Sequence, residues 1–258
     1  MSVFVNRIVP LVWASTVVIG GAALWRSQPA PVAPPAEEAI VAPDDAMRTT
    51  EPILPLPRAV QAPRDEVELG RRLFHDARLS HDGTISCASC HDLSAGGADA
   101  RVRSRGTDGR EGEVNAPTVL NAAFNFRQFW DGRASTLEEQ IDGPVGNSNE
   151  MASTWTAVMA VLRADPTYVD AFAKAFPDGI TQENAKRAIA SFERSLVTPS
   201  RFDRYLRGDA SAISDAEREG YELFKDLGCT SCHQGVNVGG TCSRRWARWE
   251  TTSRIAAT

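Results

Sequence analysis

Histidine is scarce in this sequence, with four in 258 residues, beside three tyrosines and four methionines. Any site that needs several imidazoles must therefore use nearly all of them. Basic residues do not dominate. The formal net charge is −5, which excludes the basic footprint of a nucleic-acid binder. No run of alternating apolar and polar residues marks a half-buried strand, so an all-β fold is excluded. Cysteine is also sparse. There are five, and four fall in two Cys-x-x-Cys pairs. That grouping does not fit a disulfide-stapled secreted scaffold and points to cofactor chemistry.

Proline and the long apolar run are each confined to one stretch. Residues 8–25 are uncharged and largely apolar, bracketed by Arg7 and Arg26. This segment, 1–27, reads as a signal peptide, with Gly20-Gly21-Ala22-Ala23 as a soft cleavage match, or as an N-terminal membrane anchor. Either places the rest outside the cytoplasm. Residues 28–63 carry Pro29, Pro31, Pro34, Pro35, Pro43, Pro52, Pro55, Pro57 and Pro63. Proline at that density rules out a regular helix or a central strand, so 28–63 reads as an extended tether.

Folded structure is expected from residue 64, and its patterning is helical. Val67, Leu69, Leu73 and Phe74 form a short stripe. Trp155, Val158, Met159 and Leu162 follow the i, i+3, i+4, i+7 spacing. Tyr168, Phe172 and Phe176 continue it after Pro166, and Ala185, Ile189, Phe192 and Leu196 form another stripe, stopped by Pro199. These stripes read as core. Ser214-Asp215-Ala216-Glu217 is a capping box, and Gly228 fits a helix C-terminus. His81-Asp82-Gly83 marks a turn, and residues 94–115 form a long Gly-rich, charged loop of the kind that carries function.

An internal repeat runs through both halves. Gly70-Arg71-Arg72-Leu73-Phe74-His75-Asp76 precedes Cys87-Ala88-Ser89-Cys90-His91. Gly220-Tyr221-Glu222-Leu223-Phe224-Lys225-Asp226 precedes Cys229-Thr230-Ser231-Cys232-His233. Each reads Gly-x-x-Leu-Phe-x-Asp and then Cys-x-Ser-Cys-His, which suggests two related modules in tandem. In Cys-x-x-Cys-His, two thiols can form thioethers with the vinyl groups of a haem, and the adjacent imidazole can ligate its iron. A four-cysteine zinc site and a redox dithiol are the rival readings. The histidines favour haem. With four in 258 residues, a His following both pairs by chance is a coincidence of roughly one in four thousand. Haem ligation needs that His and zinc does not.

The sequence then resembles the bacterial di-haem cytochrome c peroxidase family, which includes the MauG-type enzymes. The resemblance rests on Leu79-Ser80, Ile85-Ser86-Cys87, Gly96-Gly97, Asn115-Ala116-Pro117-Thr118-Val119-Leu120-Asn121 and Gln128-Phe129-Trp130-Asp131-Gly132-Arg133. It continues through Gly143-Pro144-Val145, Glu150-Met151 and Gly235-Val236-Asn237-Val238-Gly239-Gly240. It implies a mainly α, periplasmic protein of two tandem cytochrome-c-like haem domains, a peroxidatic one over 64–205 and a second beginning at 206–240. Two covalently bound haem c groups are implied, with Cys87, Cys90 and His91 holding the first and Cys229, Cys232 and His233 the second. His91 and His233 are the implied iron ligands. Glu150 is the implied acid–base carboxylate and Trp130 the relay between haems, while Gln140 and Phe129 line the pocket. Asn115 is the implied side-chain ligand of a calcium ion. The implied partners are hydrogen peroxide, a small electron donor (a c-type cytochrome or a cupredoxin) and a second copy of the chain in a homodimer. A membrane enters only through an N-terminal anchor.

Two departures from the family pattern shape the expectations. Many members carry a His in the loop after the first motif that blocks the peroxidatic iron. Counting from Gly97 to Asn115, Thr107 stands there, and the 94–115 loop has no His. The iron is expected to be open without prior reduction, with His75 and His81 as ordinary loop or surface residues. The resemblance also ends at Gly240. Residues 241–258 carry Cys242, Arg244, Arg245, Trp246, Arg248 and Trp249, and no Met, His or Tyr follows His233. The second module is therefore expected to be incomplete, from a truncation or frameshift, and Cys242 to be without function. A peroxidase is the leading reading; a MauG-like oxidase acting on a protein partner and a non-enzymatic electron carrier are the alternatives.

Overall fold

The computed structural model describes residues 51–238. The expectations for the signal or anchor, for most of the tether and for 239–258 lie outside the described residues. Within them the architecture is helical, with isolated β-bridges instead of strands. Eight α-helices run in order among the described residues: α1 (Arg64–His75), α2 (Cys87–Cys90), α3 (Leu137–Gly146), α4 (Trp155–Ala164), α5 (Pro166–Ala175), α6 (Gln182–Ser195), α7 (Arg201–Leu206) and α8 (Asp215–Asp226). Among the described residues no helix is long and apolar enough to cross a membrane.

Local chemistry explains most boundaries. The side chains of Thr154, Thr181 and Ser214 accept from the backbone N–H groups of Ala157, Asn184 and Glu217, which caps α4, α6 and α8. Pro166 opens α5 at a position where no N–H is needed. Gly228, at φ 77°, turns the chain out of α8. Most of the expected stripes are core: Leu69, Leu73, Phe74, Val158, Met159, Leu162, Tyr168, Phe172, Phe176, Ala185, Ile189 and Phe192 form one cluster, and Val67, Trp155 and Leu196 pack against it partly buried. Each fully buried large apolar side chain contributes roughly 1.5–3 kcal/mol.

The packing of α1 on α6 organises this core. An ideal Cβ on Gly70 would sit 1.8 Å from the carbonyl oxygen of Ala188, so only glycine permits the approach. One turn away, buried Glu66 accepts from Arg187 (3.1 and 2.8 Å) and from Ser191 Oγ (3.0 Å), which satisfies its charge across the same seam.

A second, smaller cluster joins Ile53, Leu206 and Tyr221 to Phe202, Tyr205, Phe224 and Val238. The tether therefore ends earlier than its prolines suggest. Leu54 N–H donates to the Gly235 carbonyl (3.0 Å), Gly235 N–H to the Pro52 carbonyl (2.9 Å), and Leu56 N–H to Asp203 (2.7 Å). Proline forbids a continuous ladder here, but the residues between prolines still pair. Likewise α7, which a boundary at 205 divides, turns its aromatic residues into the second cluster.

Candidate functional site

The first motif forms the short helix α2. Ser86 and Ser89 cap it reciprocally, with Ser86 N–H donating to Ser89 Oγ (3.0 Å). His91 follows, half-buried, and its Nδ1 lies 3.2 Å from the Gly97 carbonyl. A carbonyl oxygen only accepts, so Nδ1 carries the proton and Nε2 keeps its lone pair. Burial holds the His91 pKa below its ordinary value, despite hydrogen bonds that raise it. The ring is therefore a neutral imidazole oriented by its second nitrogen, the state a metal-ligating His requires.

A cavity of about 730 Å³, counted with its open mouth, lies beside this ring. Cys87, Cys90, His91, Gln140 and Glu150 all line it, with Ile141, Val145, Met151 and Ile189 forming apolar wall. Desolvation pushes the Cys87 thiol up to about 12 and raises that of Cys90. Such thiols are poor thiolate nucleophiles, which disfavours the redox dithiol. Among the described residues no three His, Cys, Asp or Glu side chains form a metal-holding group, so the four-cysteine zinc site is not assembled. The apolar wall, the two thiols and the oriented imidazole fit a haem.

Glu150 sits in a loop clamped to the end of α3. Glu150 N–H bonds the Asn147 carbonyl (3.0 Å), Met151 N–H the Pro144 carbonyl (3.1 Å) and Ser153 N–H the Val145 carbonyl (2.8 Å). Thr107 N–H donates to the Glu150 carbonyl (2.8 Å), and Gly106 lies so close that a Cβ there would stand 2.4 Å from the same oxygen. Thr107 is thus a fully buried clamp on the acid-bearing loop. Glu150 itself is half-buried, and Asn147 Nδ2 donates to its Oε1 (2.6 Å). Desolvation raises the Glu150 pKa; the Asn147 bond and Arg133 oppose this.

The structure does not bring every expected residue to this cavity. Trp130 is 63% exposed, and its Nε1–H donates to the carbonyl of exposed Asn115 (3.1 Å). Neither lines the cavity. Phe129, expected in the pocket, also lies outside it. With φ 68° it packs on Gly143 of α3, beneath the Arg133 guanidinium at 3.4 Å. His75 and His81 are exposed, as expected. The second motif repeats the first in part: His233 Nδ1 lies 3.0 Å from the Val238 carbonyl, and His233 and Cys232 are exposed. Two residues were not singled out from sequence. Asn147 carries no spacing signal, whereas Glu193 follows Ala185 and Ile189 at i+8 and i+4 on the buried face of α6, where a carboxylate is out of place.

An imidazole, two thiols and a partly buried acid around one apolar cavity, on a helical scaffold, define a haem-binding class of site. The profile described as Di-haem cytochrome c peroxidase matches residues 64–211, and the chain belongs to that family. Cytochrome c peroxidase Ccp of Escherichia coli (strain K12) is 49% identical over 192 residues, covering 74% of this chain and 41% of that protein. Cytochrome c551 peroxidase of Nitrosomonas europaea is 48% identical over 197 residues, covering 76% and 59%. Among solved structures, a MauG-like protein associated with microbial copper homeostasis superposes with a TM-score of 0.62 at 32% identity, covering 74% of this chain and 58% of that one. The chain thus spans roughly half the length of the curated relatives it matches.

Proposed function

We propose that this chain is a periplasmic di-haem cytochrome c peroxidase that reduces hydrogen peroxide to two waters, using two protons and two electrons from a small c-type cytochrome or cupredoxin. The observation that carries the reading is the convergence of Glu150, Gln140, His91, Cys87 and Cys90 on one cavity. Haem bound there through Cys87 and Cys90 would supply an iron, ligated by His91, at which the O–O bond is broken. The residues of the chain do the rest. Glu150, with its pKa raised by burial, exchanges a proton between the two peroxide oxygens. Asn147 holds the carboxyl in place, and Gln140 offers an amide to the same space. The Gly97 carbonyl keeps His91 in register.

The finer parts of the reading are proposals of the same kind. Residues 64–205 form the peroxidatic module, and 206–240 begin a second haem module on Cys229, Cys232 and His233. Trp130, exposed beside Asn115, relays electrons between the two, and Asn115 contributes to a calcium site. Thr107, clamped to Glu150 where a blocking His would stand, leaves the iron open without prior reduction.

The test uses the chain purified from a host with c-haem assembly machinery. The expected mass increase is two haems, and the ferric absorption spectrum should contain a high-spin component that changes on adding peroxide. Glu150→Gln should keep the haem yet lose about 10²–10⁴-fold in turnover with a reduced donor. Full turnover in that variant would overturn the reading.

A further inference from the structure

Glu193 is a second carboxyl in the same cavity, and the mechanism above leaves it unused. It projects from α6 one turn beyond Ile189 and is 6% exposed, and its Oε2 has no hydrogen-bond partner among the described residues. Its neighbour Arg194 does not neutralise it, because that guanidinium turns away to Glu138 of α3 (2.7 Å). Buried polar atoms are paired in the great majority of cases, so an orphan oxygen against the cofactor cavity asks for a role.

We propose that Glu193 is the redox-linked proton site of this cavity: its carboxyl is ionised while the iron held by His91 is oxidised, and takes up one proton from water when that iron gains one electron from the donor protein. The inference rests on the haem reading of the cavity. One electron enters and one proton follows, so the charge of the buried site is unchanged by reduction. The physical reason is electrostatic. A ferric site carries one more positive charge than a ferrous one, and in a low-dielectric cavity that difference acts strongly on a nearby acid.

The surroundings suit this. Desolvation is the main cause that raises the Glu193 pKa, to about 8; Glu138 adds to it and Arg194 opposes it. The carboxyl is thus poised near neutrality, where a change of iron charge moves it across its titration. The other titratable groups around it are Cys87, whose thiol responds to Glu193 and to Glu150, and His91 and Cys90 along the cavity wall. On the side of α1, His75 meets Phe192 at 6.2 Å between ring centroids. The thiols are consumed by thioether formation and His91 by the iron. Glu193 and Glu150 then remain as the cavity acids able to follow the electron.

The experiment is a potentiometric titration of the first haem in the full holoprotein across neutral pH. The potential should fall with rising pH by close to one proton per electron. That slope should vanish in Glu193→Gln and survive in Glu150→Gln. A slope unchanged in Glu193→Gln, or lost only in Glu150→Gln, overturns the proposal. Should Glu193→Gln fail to fold, the reduced-minus-oxidised infrared difference spectrum of the Glu150→Gln holoprotein decides. A protonated-carboxyl band gained on reduction supports Glu193, and its absence refutes it. A chain that takes up no haem overturns the haem reading together with this one. A chain that carries haem tests Glu193 by itself, whatever its peroxide turnover.

Discussion

The ring of Phe74 lies 6.3 Å from the ring of His91, and Phe224 lies 6.2 Å from His233. The repeated Leu-Phe pair therefore delivers one aromatic ring to each motif histidine, and the two motif segments share a local geometry as well as a sequence pattern. Their burial differs. Phe74 is fully buried, whereas Phe224 is half-buried and Leu223 is 53% exposed.

That difference sets a first prediction. Phe74→Ala empties the centre of the main core and should destabilise the protein by about 3–5 kcal/mol. Phe224→Ala removes a ring that still meets water and should cost clearly less. Urea unfolding followed by circular dichroism measures both. Equal losses would mean that the second cluster is as well packed as the first.

The same contrast holds for the repeat glycines. Gly70→Ala drives a methyl into the Ala188 carbonyl, so α1 and α6 must part and several buried contacts weaken together. A loss of more than about 3 kcal/mol is expected. Gly220 has no described atom within 4 Å of an ideal Cβ. In an open helix interior, Gly220→Ala should instead stabilise by up to about 1 kcal/mol through helix propensity. Thermal midpoints of the two variants separate these outcomes.

The stripes of α1, α4, α5 and α6 were legible because a 3.6-residue period reports a buried face directly. Helix α3 was not, because Gly143, Pro144 and Gly146 read as breakers. It forms because Pro144 stands in the last turn, and its carbonyl is satisfied from outside by Met151 N–H. The motif residues and Glu150 were legible through spacing and resemblance. The placement of Phe129 was not. Its positive φ turns the ring onto Gly143, a backbone choice that no side-chain pattern announces. Glu193 left a signal that period reading passed over, namely a charge on an otherwise apolar face.

Asn147 tunes Glu150. Its amide hydrogen bond stabilises the ionised carboxylate and so lowers a pKa that desolvation raises. Asn147→Ala removes the larger of the two lowering causes and leaves Arg133 in place, so Glu150 should then ionise at higher pH. In the peroxidase assay, the limb of the kcat/KM profile that follows Glu150 should move to higher pH, with haem content unchanged. A limb that stays in place would show that the 2.6 Å contact does not govern the acid.

Glu193 links stability to pH in the protein without haem. Its folded pKa of about 8 lies above the ordinary carboxylate value of 4.5, so the unfolded chain releases this proton first as pH rises. The stabilising contribution is complete below about pH 4.5, declines through neutrality, and is lost as pH passes about 8. At about 1.4 kcal/mol per pH unit, the whole span corresponds to about 5 kcal/mol. Glu193→Gln keeps the shape without the proton, so its stability should decline clearly less over this window than the parent's. Denaturant midpoints of both proteins at about pH 5 and about pH 8 measure the difference. Parallel curves would mean that Glu193 is already ionised in the fold and that water reaches its orphan oxygen.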